Sequence, residues 1–212
     1  MVRNSNRRSA LRPAAAARSG RRERKALAVR QGILRAAARV FRRRGFVSTG
    51  MREIAREADL SPGNLYYYFA SKQELLYFCQ DHSLDRMLET MRSPGAARLG
   101  PGRRLERVVR SHLACMLDEL DGAAAHTEVD ALPPALRAKI VAKRDRYERA
   151  VREIVALGVR TRAFAPCDPT LVTRALLGAL NWTARWYRPG GAQAPAEVAD
   201  AFADYLVRGL RK

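Results

Sequence analysis

TGMREIAREADLSPGNLYYYFASK, Thr49 to Lys72, places two helix starts and a tight turn in one short stretch. Met51, Ile54, Ala55 and Ala58 recur at three- and four-residue spacing, which lines them up on one helix face and predicts a short helix with that face buried. Asp59 and Leu60 break the pattern. Ser61-Pro62-Gly63-Asn64 then supplies a new start, with a serine hydroxyl able to accept from orphan N–H groups and proline at the first helical position. In the helix that follows, Leu65 and Phe69 form an i,i+4 pair while Gly63, Asn64 and Tyr67 point elsewhere, and glycine lets the backbone approach a neighbouring surface closely. Ser71-Lys72-Gln73-Glu74 is a capping-box signature ahead of Leu75, Leu76 and Phe78. It leaves Lys72 at an exposed helix N-terminus, where the ammonium and the free N–H groups suit a phosphate.

Upstream, Ile33, Leu34, Ala37, Ala38 and Phe41 predict an amphipathic helix ending at Gly45, with Phe46 folding back onto the core. Three short helices around Phe41, Phe46, Ile54, Leu65 and Phe69 make a small helix-turn-helix domain. The spacings F41-x3-G45-F46, I54-A55 and L60-S61-x-G63-x-L65-Y66-x2-F69-x2-K72 resemble the N-terminal domain of the TetR family of transcriptional repressors. The resemblance implies a DNA-facing set of Thr49, Arg52, Ser61, Pro62, Gly63, Asn64, Tyr66, Tyr67, Tyr68 and Lys72. Two positions depart from it. Gly50 stands where the family usually has threonine or serine, so Thr49 is the candidate replacement for a phosphate-binding hydroxyl. Tyr68 stands where histidine is common and keeps a polar ring tip able to reach the DNA backbone.

Forty Lys and Arg against 21 Asp and Glu give a formal charge of +19, which favours a polyanionic partner without choosing among DNA, RNA and anionic lipid. Before Ala26 lie nine basic residues (Arg3, Arg7, Arg8, Arg12, Arg18, Arg21, Arg22, Arg24 and Lys25) and one acidic residue, Glu23. With almost no large apolar residue, residues 1–25 are expected to be a disordered basic arm. Two readings of that arm stand open, a DNA-contacting arm and a solvated tail. Hydrophobic residues at 47% of the 212-residue chain suffice for a buried core. No apolar run is long enough for a membrane span, and the N-terminus lacks a secretory apolar segment, so a soluble, cytoplasmic protein is expected. Cys79, Cys115 and Cys167 are odd in number and far apart, which fits a reducing compartment rather than a disulfide framework.

The rest of the chain predicts an all-α architecture, with a DNA-binding domain over 26–86 and a larger helical ligand-binding and dimerisation domain over 87–212. A helix from Lys72 to about Met91 ends at Ser93-Pro94-Gly95. A second carries Leu105, Val108, Val109, His112, Leu113 and Met116 on one side, runs from about Arg103 to Leu120 and stops at Asp121-Gly122. A short piece near Ala123 to Ala131 precedes Pro133-Pro134 and a long helix to about Gly158. Asp168-Pro169 starts a helix with apolar residues on more than one face, and Ala194-Pro195 starts another carrying Val198, Phe202, Tyr205, Leu206 and Leu210. A helix apolar around most of its circumference needs contacts on two sides. The resemblance implies that these last two helices pair with a second copy, with Leu171, Ala175, Leu176, Gly178, Ala179, Phe202 and Leu206 in the homodimer interface. A helix buried within one monomer is the alternative.

Two recognition helices about one DNA turn apart read a pseudo-palindromic double-stranded operator. TetR-like proteins release DNA when a small molecule in the C-terminal domain shifts the helix corresponding to Lys72–Met91. The run from Ala175 to Gly191 resembles acyl-CoA-responsive members and regulators of fatty-acid, aromatic-acid or sterol breakdown. The candidate ligand set is His112, Met116, Tyr147, Asn181, Trp182, Arg185 and Trp186, the tryptophans as apolar walls and the arginine and asparagine as donors. Core or interface packing is the alternative for both tryptophans. No catalytic spacing, metal site or cofactor is expected, since His82, His112 and His126 show no nucleophile elbow, metal pair or phosphate loop. Metal sensing through His112, Cys115 and His126, redox sensing by a cysteine, and sequence-blind DNA compaction are the rival readings.

Overall fold

The structure is a computed structural model that describes residues 11–93, 95, 98–117 and 128–211, with side chains from residue 24 onward. Arg3, Arg7, Arg8, Pro94, Asp118, His126, the expected helix end at Leu120 to Gly122 and the short piece from Ala123 lie outside the described residues. Among the described residues the chain is all-helical: α1 (Leu11–Arg44), α2 (Met51–Glu57), α3 (Pro62–Tyr68), α4 (Lys72–Arg92), α5 (Pro101–Leu117), a 3-10 turn at Val129–Ala131, α6 (Pro134–Arg160), α7 (Pro169–Trp186) and α8 (Pro195–Arg208).

Helix α1 begins earlier than expected. The basic stretch after residue 10 is helical and continuous with the amphipathic segment, which corrects the reading of residues 11–25 as a disordered arm. Ala14 to Ala17 and the Arg-rich run after it are strong helix formers, and attachment to an already packed helix removes the nucleation cost that an isolated segment faces. At the other end Gly45 has φ +76°, the left-handed geometry in which glycine ends a helix without strain, and its N–H reaches the Phe41 carbonyl at 2.8 Å.

The short helices owe their starts to side chains. Ser61 Oγ accepts from the Asn64 N–H at 3.2 Å, and Ser71 Oγ from the Glu74 N–H at 3.1 Å. Glu74 Oε2 accepts from the Ala70 N–H at 2.7 Å, completing the capping box in its essentials. Asp168 Oδ1 caps α7 through the Thr170 N–H at 2.7 Å.

Phe41, Phe46, Ile54, Leu65 and Phe69 are all buried and join a core that also contains Leu75, Leu76 and Cys79 of α4. Further along α4, Leu84, Met87 and Leu88 belong to the same core beside Leu105, Leu113, Tyr147 and Val155. Thus α4 is shared between the head (α1–α4) and the body, in which α5 packs against α4, α6, α7 and α8. The Ala165 N–H donates to the Leu210 carbonyl at 2.8 Å and ties the loop after α6 to the end of α8.

Phe164 folds back under the end of α6, 1% exposed. A Cβ built on Gly158 would stand 2.0 Å from Phe164 Cδ2, so only glycine leaves the ring its place. Gly158→Ala is expected to lower stability by about 2 kcal/mol through overpacking. Urea denaturation of the two proteins checks this, and equal midpoints would show that the ring relocates freely.

Candidate nucleic-acid interface and effector cavity

The turn from α2 to α3 passes through Asp59 at φ +55°, a left-handed position that an aspartate tolerates better than most residues. It reverses the chain so that Leu65 enters the core while the rest of α3 faces outward. Asn64 is exposed, and Tyr66 and Tyr67 are 52% and 84% exposed. Arg52 on α2, Ser61, Pro62 and Gly63 are exposed on the same helix pair. Tyr68 is half-buried, with its ring edge-on to Tyr67 at 5.2 Å.

Two members of the expected DNA-facing set are committed elsewhere. Thr49 is 3% exposed, and its hydroxyl donates to the Gly45 carbonyl at 2.7 Å. It braces the loop between α1 and α2 and is not an outward phosphate ligand. Lys72 Nζ donates to the carbonyls of Phe46, Val47 and Thr49 at 2.7, 3.1 and 2.8 Å and lies 4.4 Å from the centre of the Phe46 ring. An ammonium has three donors, and all three are used. The end of α1 and its following loop supply a cluster of carbonyls that this ammonium satisfies.

Charged contacts invisible in the spacing pattern set the angle of α2. Glu57 accepts from Arg39 Nε at 2.7 Å and Arg43 Nη2 at 2.5 Å, and Glu53 pairs with Arg44 at 3.0 Å. Arg43 and then Arg39 hold the Glu57 carboxyl below its usual range. Arg30 stacks on Phe69 and Phe78, 5.0 and 4.4 Å from their centres, and locks α1 to α4. Each basic partner lies at a distance in sequence that no local periodicity exposes.

In the body, His112, Met116, Tyr147 and Asn181 of the expected ligand set meet in one cavity of about 170 Å³, walled also by Leu84, Met87, Leu177, Arg144 and the acidic Asp145 and Glu148. His112 Nδ1 lies 3.1 Å from Tyr147 Oη, and Nε2 lies 3.2 Å from Asn181 Oδ1. The self-consistent assignment has the tyrosine hydroxyl donating to Nδ1 and Nε2–H donating to the amide oxygen. Burial lowers the His112 pKa to about 4 and pushes the Tyr147 hydroxyl up, so both are neutral near pH 7. With both ring nitrogens occupied, His112 is a structural hub joining α5, α6 and α7. Arg144 is also desolvated in this wall, which lowers its pKa. Leu84 and Met87 on α4, and Arg144 with Tyr147 on α6, sit at i,i+3 spacing, the signal that could have placed them in the site.

Trp182, Arg185 and Trp186 do not reach this cavity. Trp182 is 65% exposed, Trp186 stacks on Phe202 with centres 6.2 Å apart, and Arg185 is not among the lining residues. Trp182, next to Asn181, and Arg185 and Trp186, about one turn further along α7, are all exposed, and none is among the cavity's described lining residues. Leu176, expected in the interface, is 5% exposed and packed inside its own chain. It also lines a surface pocket together with Ala175, Tyr205 and Leu206. Leu171, Ala175 and Phe202 differ in degree, the first 63% exposed and the last half-buried, while Leu206 is also half-buried.

Residues 33–77 match the family described as bacterial regulatory proteins of the tetR family, and residues 99–210 match the tetracyclin repressor-like C-terminal domain. The transcriptional repressor KstR2 of Mycobacterium tuberculosis is 27% identical over 183 residues, covering 85% of this chain and 92% of its own. The crystal structure of PfmR, a TetR family transcriptional regulator from Thermus thermophilus, superposes with a TM-score of 0.75 at 32% identity, covering 85% of this chain and 99% of its own. KstR2, solved as a ketosteroid transcriptional regulator, also gives a TM-score of 0.75 at 25% identity, with coverage of 86% and 95%. The chain belongs to the TetR family of helix-turn-helix transcriptional regulators. Among the described residues no helix is long and apolar enough to cross a membrane.

Two expectations follow from this geometry. Lys72→Ala should lower the stability of the head by about 2 kcal/mol, the scale of a charge-assisted hydrogen-bond cluster, and leave the salt dependence of DNA binding unchanged. A flatter salt slope with unchanged melting would return Lys72 to the phosphates. For His112 the folded pKa lies below that of the unfolded chain, so stability is fully present above about pH 6.5 and is lost as pH falls towards 4. From about pH 7 to about pH 5 the wild type should lose roughly 2 kcal/mol more than His112→Gln, measured by denaturant titration at each pH.

Proposed function

We propose that this chain is a transcriptional repressor that binds a pseudo-palindromic operator as a homodimer in the cytoplasm and is released by a small-molecule effector in its C-terminal domain. The observation that carries the reading is α3, a serine-capped helix held by Leu65 with Asn64, Tyr66 and Tyr67 facing outward. One such helix reads only a few base pairs, so a two-fold partner is needed for a full operator. A second copy is favoured by the outer faces of α7 and α8, where Leu171, Trp182 and Tyr205 are 63%, 65% and 79% exposed. Beside them a Cβ on Gly178 would meet nothing within 4 Å, leaving room for a partner helix.

The effector reading is a small acid or acyl thioester, such as an acyl-CoA or a related product of lipid or sterol breakdown. The similarity to KstR2, described as a ketosteroid regulator, supports the sterol side of that reading. The cavity combines Leu84, Met87 and Leu177 with the neutral His112–Tyr147–Asn181 strip, which suits the apolar and polar parts of such a molecule, while Arg144 is flanked by Asp145 and Glu148 in the same wall, so the effector's charged end belongs outside it. A ligand wedged between α4 and α6 would strain the pairs that Lys143 makes with Asp81 and, at 2.8 Å, with Asp85, and so move α4.

Promoter DNA from the chain's own locus should be bound about three or more powers of ten more tightly than scrambled duplex at physiological salt, with the protein sedimenting as a dimer. Asn64→Ala or Tyr67→Ala should erase most of that ratio without changing the melting temperature. Equal affinity for both duplexes would favour charge-driven compaction instead.

A further inference from the structure

A second cleft of about 350 Å³ lies where the head meets the body. Its walls come from the last turn of α1 (Arg42 and Arg43), the end of α5 (Met116 and Leu117) and the end of α7 with its following residues, including Tyr187 and Arg188. The floor is apolar, Arg42, Arg43 and Arg188 contribute to the walls, and no acidic side chain is among the described lining residues; Arg188 Nη1 also donates to the Arg185 carbonyl at 3.4 Å. The C-termini of α1 and α7 lie beside it. Each contributes roughly half a negative charge at most, which the three arginines among the described lining residues exceed. Arginine forks are suited to bidentate contacts with carboxylate and phosphate. Met116 also lines the inner cavity beside His112, so this flexible side chain borders both spaces.

Arg43 has a second commitment. Its Nη2 donates to Glu57 Oε2 at 2.5 Å, one of the contacts that hold α2 and the turn into α3. An anion in the cleft and the Glu57 carboxylate therefore draw on the same guanidinium.

We propose that this cleft binds the charged end of an organic anion whose apolar body lies past Met116, and that the anion acts on the DNA head by competing with Glu57 for Arg43. The proposal rests on the effector-released repressor reading and gives that effector its chemical class and its route to α2. A carboxylate and the phosphates of an acyl thioester are both sources of the required charge.

The test is calorimetric titration of the full chain with dodecanoate, dodecanoyl-CoA and uncharged dodecanol, with operator binding measured on the same samples. At least one charged probe is expected to bind, dodecanol much more weakly, and the charged probe that binds identifies the source as carboxylate or phosphate. Arg188→Glu and the milder Arg188→Gln should weaken that probe, the former by roughly tenfold or more, while Arg103→Glu, at the opposite end of α5, should not. Glu57→Gln, which frees Arg43, should bind the same probe several-fold more tightly. Failure of both charged probes, dodecanol binding as well as they do, or equal affinity in wild type and both Arg188 variants would overturn the site. Unchanged affinity in Glu57→Gln would overturn the competition for Arg43. Loss of operator preference with probe binding intact would instead refute the repressor reading and leave the cleft assignment standing.

Discussion

Helix α4 cannot move without disturbing two parts of one core. Its first turns bury Leu75, Leu76 and Cys79 against the head, and its later turns bury Leu84, Met87 and Leu88 against the body. Each of these side chains is worth on the order of 2 kcal/mol of burial, so neither half can release the helix cheaply. Packed interiors shift between discrete arrangements rather than deforming continuously. A change at the body end of α4 would therefore disturb the head's core as well.

Polar contacts add to that coupling. Lys72 gathers three carbonyls of the loop that follows α1, so the start of α4 carries the loop leading into α2. Midway along, Asp81 and Asp85 hold Lys143 of α6. Burial alone would lower the Lys143 pKa, yet the two carboxylates outweigh it and raise the pKa. Glu57 with Arg39 and Arg43 forms a separate tie between α2 and α1. The head thus has two sets of connections, one through α4 and one through the end of α1, and the arginine cleft lies on the second.

Much of the DNA-reading unit is legible in the sequence. The i,i+4 pair Leu65 and Phe69, the Ser61-Pro62 start and the Ser71-to-Glu74 box each state a local preference that the fold satisfies, because helix caps and amphipathic faces depend on neighbours within four residues. The differences between expectation and structure have an equally physical origin. Local pattern gives Lys72 and Thr49 outward roles, but carbonyls left by the end of α1 recruit them. Composition marks residues 11–25 as unordered, and composition does not register that a packed helix downstream can be extended. Trp182 and Leu176 both sit on a helix with apolar residues all round, and periodicity there does not say which side faces the subunit's own core.

The amino-acid order by itself determined the all-helical class, the helix-turn-helix with its outward Asn64 and Tyr67, and the family, since all of these are written in contacts a few residues apart. Tertiary structure alone decided that His112, Tyr147 and Asn181 meet around one cavity, that Glu57 is shared by Arg39 and Arg43, and that three arginines from the ends of two distant helices face one cleft. Those groups are brought together from well-separated parts of the chain. Only the packing of the helices around a common core places them side by side.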